Sequence, residues 1–381
     1  MSVRDGTHGD RKETASMNLR IPGPTPCPPE VLAASSRQMI DHRGPEFAAL
    51  ISSVTSGLKR WFGTEHDLFV FPSSGTGGLE AGVVNCFSPG DHVLAVSIGV
   101  FGERFASIAK AFGLKVTKYA VEFGEAAQPA RVAALLDENP SIKGVLVTHN
   151  ETSTGVTNDI AAISRAVAGR ALLLVDGVSS IGALPFQADA WGVDVAVTGS
   201  QKAFMSPPGV VAVSVSPKAW AAAEQATCPR FYWDFATARQ YLTQGQTFTT
   251  PALSVLYAVL EGMALMAAEG MQNVFARHRN LARYTREQLT ELGFRVLSDG
   301  VHFSDVVTAA WLPDGVDGKA LVTRLRQEHG IIISGGQQSL AGKIIRIGHV
   351  GWVQRAELDA VFAALQVTLP KVGGRVAVAV G

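Results

Sequence analysis

The chain has 381 residues, more than one ordinary hydrophobic core organises, so two domains are expected. Hydrophobic residues make up 47% and charged residues 17%, with 33 basic residues against 33 acidic ones and no block of like charge. That balance argues against an electrostatic nucleic-acid footprint and against a basic membrane-surface helix, and it leaves a small molecule as the expected partner.

Met1–Leu19 is polar and charged, lacks the apolar stretch of a secretory signal, and reads as a mobile N-terminal tail, with Met17 as an alternative start. The Pro-rich segment Pro22–Pro29 reads as an extended connection. No apolar run approaches the length that spans a bilayer. Three cysteines, Cys27, Cys86 and Cys228, form no close pair of the kind a metal knuckle or redox dithiol needs. A reducing, cytoplasmic setting is the expectation.

From Asp67 onward, short β-branched runs alternate with helical patterns: Leu68–Phe71, His92–Ser97, Lys115–Val121, Gly144–Thr148, Ala171–Val175, Val193–Thr198 and Val210–Val215. The alternation predicts an α/β fold, a mainly parallel seven-stranded sheet wrapped by helices. The runs are apolar throughout, as strands covered on both faces should be. A helical pattern from Ala252 to about Leu292 then leads into a smaller C-terminal α+β domain. Its strands are expected at Phe294–Leu297, Val306–Trp311, Ile331–Ser334 and Ile344–Ile347, with helices near Lys319–Glu328 and Arg355–Leu365. The expected division is a tail over 1–19, a large domain over 20–266 and a small domain over 267–381.

In open sheets of this kind ligands sit beyond the carboxyl ends of the strands, and three of those ends carry chemistry. After Leu68–Phe71, the turn Ser73-Ser74-Gly75-Thr76-Gly77-Gly78 opens a helix and directs backbone N–H groups and hydroxyls at an anion. It lacks P-loop spacing and a P-loop lysine, so a single phosphate is expected. Asp176 ends an apolar run, where a buried carboxylate needs a partner such as a pyridinium nitrogen. Lys202 follows the turn after Val193–Thr198, where burial lowers an amine's pKa and leaves it neutral enough to condense with an aldehyde. Each feature alone has a plainer reading: a glycine turn, a helix cap, a surface lysine. Together they match the three needs of one phosphorylated pyridine aldehyde.

The runs Ser74-Gly75-Thr76-Gly77-Gly78-Leu79-Glu80-Ala81, Asn150-Glu151-Thr152-Ser153-Thr154-Gly155, Val175-Asp176-Gly177-Val178-Ser179-Ser180, Gly199-Ser200-Gln201-Lys202-Ala203 and Arg346-Ile347-Gly348 resemble the class V aminotransferases. The resemblance is to the alanine/serine:glyoxylate group and covers Pro22 to about Leu369. It implies a fold type I transferase dependent on pyridoxal 5'-phosphate, with Lys202 forming the Schiff base and shuttling the substrate proton. It further implies that Ser74, Gly75, Thr76 and Gln201 bind the phosphate, and that Gln246 and Thr249 reach it from the other subunit of a homodimer. Phe101 would stack on the ring where relatives often carry Trp, Val178 would cover the opposite face, and Thr152 would bond the ring hydroxyl. Arg346 would grip the substrate carboxylate through two parallel donors.

The expected reaction moves the amino group of serine or alanine to glyoxylate or a similar 2-oxo acid by a ping-pong route. Ureidoglycine or an aminophosphonate are the other donors considered. A lyase or cysteine desulfurase is the competing class, against which stands the lack of any cysteine after Cys228. A non-catalytic subunit conflicts with intact Lys202, Asp176 and Arg346. His42 and Arg43 are read equally as entrance or plain surface residues, His149 and Glu151 receive no role, and Phe231–Phe235 is read as core or interface packing.

Overall fold

The computed structural model describes residues 17–374. In chain order they form β1 (Asn18–Leu19), α1 (Pro29–Ser35), α2 (Pro45–Phe62), β2 (Asp67–Ser73), α3 (Gly75–Cys86), β3 (His92–Ser97), α4 (Val100–Ala111), β4 (Lys115–Ala120), α5 (Pro129–Glu138) and β5 (Ile142–Thr148). There follow β6 (Asn150–Glu151), β7 (Val156–Thr157), α6 (Ile160–Val167), β8 (Leu172–Asp176), β9 (Val195–Gly199), β10 (Gly209–Val215), α7 (Pro217–Ala223), α8 (Phe235–Leu242), α9 (Leu253–Glu269) and α10 (Met271–Glu291). The last part comprises β11 (Arg295–Val296), β12 (Val307–Trp311), α11 (Gly318–His329), β13 (Ile331–Ile332), β14 (Ser334–Gly335), β15 (Ile344–Gly348) and α12 (Arg355–Thr368).

The seven apolar runs become one seven-stranded sheet in the order β2-β10-β9-β8-β5-β3-β4, parallel except for β10, which runs antiparallel to both neighbours. Strands β5, β8 and β9 lie in its middle and are buried along most of their length, which is why their sequences are continuously apolar. Edge strand β4 departs from that expectation: every residue in it is half-buried or exposed, whereas the opposite edge strand β2 is covered along its middle. Two apolar layers flank the sheet, one built with α2 and α9 and the other with α3, α4 and α8. A separate core joins α10, α11 and α12 to a four-stranded sheet ordered β11-β12-β15-β14.

Four expectations need correction. Residues 1–16 lie outside the described part, but Asn18 and Leu19 belong to no tail: they pair in parallel with Ile331 and Ile332. Arg20, which is 1% exposed, locks this arm by reaching Glu357 at 3.2 Å, and its carbonyl accepts from the Gly348 N–H at 2.7 Å. The predicted strand Ile331–Ser334 is two strands in different sheets, since β13 serves the arm while β14 pairs with β15. The helical pattern 252–292 breaks at Gly270 (φ 89°), where α9 and α10 meet at 88°. That backbone angle suits glycine, and the bend directs α10 into the C-terminal core. The expected boundary at 266/267 therefore falls inside α9 rather than at the turn. Among the described residues no single helix is long and apolar enough to cross a membrane.

Helix α9 also packs on the segment that follows Lys202. A Cβ at Gly262 would lie 2.3 Å from the carbonyl oxygen of Phe204, two residues beyond Lys202. Gly262→Ala must therefore push backbone, and overpacking of this kind costs about 1–3 kcal/mol. The urea midpoint is expected to fall accordingly, with an unchanged slope.

Candidate active site

The carboxyl ends of β2, β8 and β9 surround a cavity of about 370 Å³. Its walls include Ser74, Gly75, Thr76, Phe101, Asp176, Val178, Gln201 and Lys202, so eight of the twelve expected site residues meet in one place. Arg104, Gly23 and Pro24 line it as well.

Lys202 follows β9 by three residues, and its carbonyl is held by the Thr25 hydroxyl at 3.0 Å and the Met205 N–H at 3.0 Å. Its Nζ donates to the carbonyl of Pro22 at 2.7 Å. Gly23 has φ of 145° and a Cβ there would sit 2.3 Å from that nitrogen, so the backbone angle and the close approach together suit glycine where the N-terminal arm crosses the lysine. Burial, helped by the nearby Arg346 guanidinium and opposed by Asp176, lowers the amine pKa to about 8. At that value about one amine in ten is uncharged at pH 7.

Asp176 closes β8, is 5% exposed, and accepts one hydrogen bond, from the Val178 N–H at 3.0 Å. Desolvation raises its pKa to about 6, with the Glu151 charge adding to the rise and Lys202 and Arg104 opposing it. A buried carboxylate with one donor is under-satisfied, and a cationic ring N–H would both neutralise it and complete its bonding.

The turn after β2 places Ser74 at the N-cap of α3 without a side-chain capping bond, so its hydroxyl is not spent on the helix. A Cβ on Gly75 would meet Val178 Cγ2 at 2.5 Å, so the turn and the Val178 loop close on one another only because residue 75 is glycine. The buried Oε1 of Gln201 has no partner, another sign that this wall is built for a polar group. The chemistry of these donors fits a phosphorylated pyridine: hydroxyls and a helix N-terminus for the phosphate, Asp176 for the ring nitrogen, Lys202 for the aldehyde.

The remaining four expected residues are placed differently. Arg346, on β15 and 7% exposed, donates Nε to the Gly335 carbonyl at 2.9 Å and Nη1 to the Thr152 carbonyl at 3.1 Å. Thr152 and Arg346 are thus bonded to each other and do not line the cavity wall. Gln246 and Thr249 line a separate apolar cavity with Phe69, Phe71 and Phe248. Arg43 clamps that segment, donating to Gln246 Oε1 at 2.9 Å and to the Thr247 carbonyl at 2.6 Å. Within one chain, the Gln246–Thr249 segment does not reach the lysine cavity.

Three features escaped the sequence reading. Arg104 stacks its guanidinium 4.8 Å above the Phe101 ring and lies 3.4 Å from Thr76 Oγ1, a spacing visible only once α4 is known to start at Val100. Pro22 and Gly23 carried no local signal. Glu151 did carry one, a carboxylate in a buried strand-end segment, and it is fully buried.

Comparison with known proteins identifies the family and the fold. The family model described as Aminotransferase class-V matches residues 19–361. A protein named soluble hydrogenase, small subunit, from Synechococcus sp. (strain PCC 6716) is 39% identical, covering 93% of each chain. The L-aspartate–glyoxylate aminotransferase of Paracoccus denitrificans is 38% identical over 94% of this chain and 93% of its own. The serine–glyoxylate aminotransferase of Methylorubrum extorquens is also 38% identical, over 92% and 90%. Among solved structures, an alanine–glyoxylate aminotransferase from Nostoc sp. superposes with a TM-score of 0.91 at 30% identity, over 97% of this chain and all of that one. Sheet order, strand-end lysine and near-complete coverage thus point the same way, and the chain belongs to the class V aminotransferases, with their fold type I architecture.

Proposed function

We propose that the protein is a pyridoxal 5'-phosphate-dependent transaminase that moves the amino group of serine or alanine to glyoxylate, working as a homodimer. The observation that carries this reading is the meeting of Lys202, Asp176 and the Ser74–Thr76 turn in one cavity. The cofactor, when bound, supplies an electron-accepting ring that lets an amino acid lose its α-proton. The chain's own residues do the rest. Lys202, with an amine pKa near 8, gives and takes that proton at Nζ near neutral pH. Asp176 keeps the ring nitrogen protonated, the Ser74–Thr76 turn and Gln201 hold the phosphate, and Phe101 and Val178 enclose the ring. Thr152 bonds the ring hydroxyl. Gln246 and Thr249, presented by Arg43, reach the phosphate of the partner subunit.

Arg346 engages carbonyls through Nε and Nη1 and has no carboxylate within ion-pair distance among the described residues, which suits it to the substrate's carboxylate. Arg346→Lys keeps the charge but loses the fork, and kcat/KM for the amino donor is expected to fall about 10- to 100-fold, mostly through KM. A donor with a second anionic group, such as an aminophosphonate, is the other reading, favoured by the Arg104 cation on the cavity wall. Desulfurase chemistry is disfavoured, since Cys86 and Cys228 are buried and none of the three cysteines lines the cavity.

A donor panel with glyoxylate as acceptor tests the assignment. Serine or alanine should give the highest kcat/KM. Higher turnover with aspartate, ureidoglycine or an aminophosphonate would reassign the donor, and no turnover with any of them would sink the transaminase reading.

A further inference from the structure

Glu151 is completely buried beside the site, yet none of the roles above uses it. Its two oxygens receive four hydrogen bonds. Oε2 accepts from the N–H groups of Phe101 at 3.0 Å and Gly102 at 3.2 Å, while Oε1 accepts from the Ser153 N–H at 3.0 Å and the Ser153 hydroxyl at 2.6 Å. Ser153 Oγ in turn accepts from the Val100 N–H at 3.0 Å. The first three amides of α4, which have no partner inside the helix, are therefore all met by two side chains, one at the end of β6 and one in the turn between β6 and β7.

Four donors converge on the carboxylate, and an ionised carboxylate is the one form of this side chain that offers acceptors alone. On the Oε2 side a proton or an amide hydrogen would be directed at the Phe101 and Gly102 N–H groups, whereas on the Oε1 side the Ser153 hydroxyl can turn to accept. Burial raises the group's pKa, but the four hydrogen bonds oppose that rise and the helix N-terminus favours a negative charge there. The neighbouring backbone is shaped to admit it: a Cβ on Gly99 would lie 2.4 Å from Ser153 Oγ and 2.6 Å from Glu151 Cγ. The Thr154 hydroxyl adds a bond to the Ile98 carbonyl at 3.2 Å. The residue gripped by the carboxylate through its own amide is Phe101, whose side chain forms a wall of the lysine cavity.

We propose that Glu151 is a positioning residue: as an ionised, acceptor-only carboxylate it anchors the first turn of α4 and so holds Phe101 against the cofactor ring. The proposal rests on the cofactor reading above. An ordinary helix cap would stabilise α4 without affecting ring binding through Phe101, and this difference can be measured.

The experiment titrates cofactor-free chain with pyridoxal 5'-phosphate and reads affinity from the visible absorbance of the bound cofactor. Five forms are compared with the parent chain: Glu151→Gln, Phe101→Ala, Ser153→Ala, and Phe101→Ala combined with each of the other two. Glu151→Gln sets an amide donor against N–H donors, and the Kd is expected to rise about 10- to 100-fold. In the Phe101→Ala background the same change should alter Kd by no more than about twofold, because coupled residues are not additive. Ser153→Ala should act in the same direction, more weakly, with the same loss of effect. If Glu151→Gln fails to fold by far-UV circular dichroism, the Ser153 pair carries the comparison. An unchanged Kd in the single variant, or an effect that persists undiminished without Phe101, overturns the proposal. If the parent chain takes up no cofactor, the cofactor reading falls and this inference falls with it, whereas normal uptake with additive variants overturns the inference alone.

Discussion

Replacing Lys202 by alanine is expected to reduce transamination at least about a thousandfold and to abolish the visible absorbance change on adding the amino donor. The amine does two jobs that no neighbour duplicates. In the proposed mechanism it is the nucleophile toward the cofactor aldehyde and the base for the substrate's α-proton, and it is the one lysine among the residues that line the cavity. General acid–base catalysis alone accounts for about 10²–10⁴-fold. Lys202→Arg is expected to be as inactive as the alanine variant, because a guanidinium keeps its proton throughout the accessible pH range. A small exogenous amine should restore part of the activity to the alanine variant, since its hole lies in the cavity, and none to the arginine variant. The pH profile of the parent enzyme is a further check. An amine pKa near 8 in the cofactor-free chain predicts that the rate of cofactor uptake rises through that region as Lys202 loses its proton. Parental turnover by the alanine variant would remove Lys202 from the mechanism.

Acid is expected to destabilise the cofactor-free chain as the pH falls below about 6.5, and three buried histidines set the slope. Burial lowers the pKa of His149 to about 4 and those of His278 and His349 to about 3. His278 accepts the Gly351 N–H at 3.1 Å, and His349 shares hydrogen bonds with Thr308 and the Asp305 carbonyl. All three are neutral in the native state at pH 7, and their full contribution is present above their unfolded pKa of about 6.5. Below that value the unfolded chain takes up protons that the native chain refuses, so stability is lost until the native pKa is reached. Each histidine contributes a slope of about 1.4 kcal/mol per pH unit. Asp176 works in the opposite sense: its native pKa near 6 means the folded chain holds a proton that the unfolded chain lacks, which offsets about one histidine between pH 6 and 4. The raised pKa values of Glu151 and Asp305 add to that offset. A net fall of about 1.5–3 kcal/mol per pH unit between pH 6 and 4.5 is expected from urea midpoints. His349→Gln should reduce the slope by about one proton, and a flat profile would show that the histidines are not held neutral by the fold.

Much of the architecture was readable without coordinates because it is encoded over short distances. A strand buried on both faces requires an unbroken apolar run, and all seven runs became strands of the one sheet. Helix starts are equally local, since the glycines after β2 permit a close turn and Ser74 sits at the cap of α3. The chemistry at the ends of β2, β8 and β9 was legible for the same reason: a carboxylate or lysine that interrupts an apolar strand end stands out against its neighbours.

What stayed hidden depends on packing between distant segments. Pro22 meets Lys202 across 180 residues, and nothing near either residue announces the encounter. Asn18 and Leu19 look like the end of a polar tail, yet they are a strand because Ile331 and Ile332 offer a free edge. A pattern with helical period cannot report that Gly270 turns the chain by 88°. Glu151 and Phe101 lie on different elements, and their hydrogen bond arises when the segment after β5 folds under the start of α4. Local patterning specifies which groups are buried and where strands end, because burial and turn geometry act within a few residues. Which amide meets which carboxylate is decided by the docking of helices on the sheet, and that is where the lysine acquires its environment.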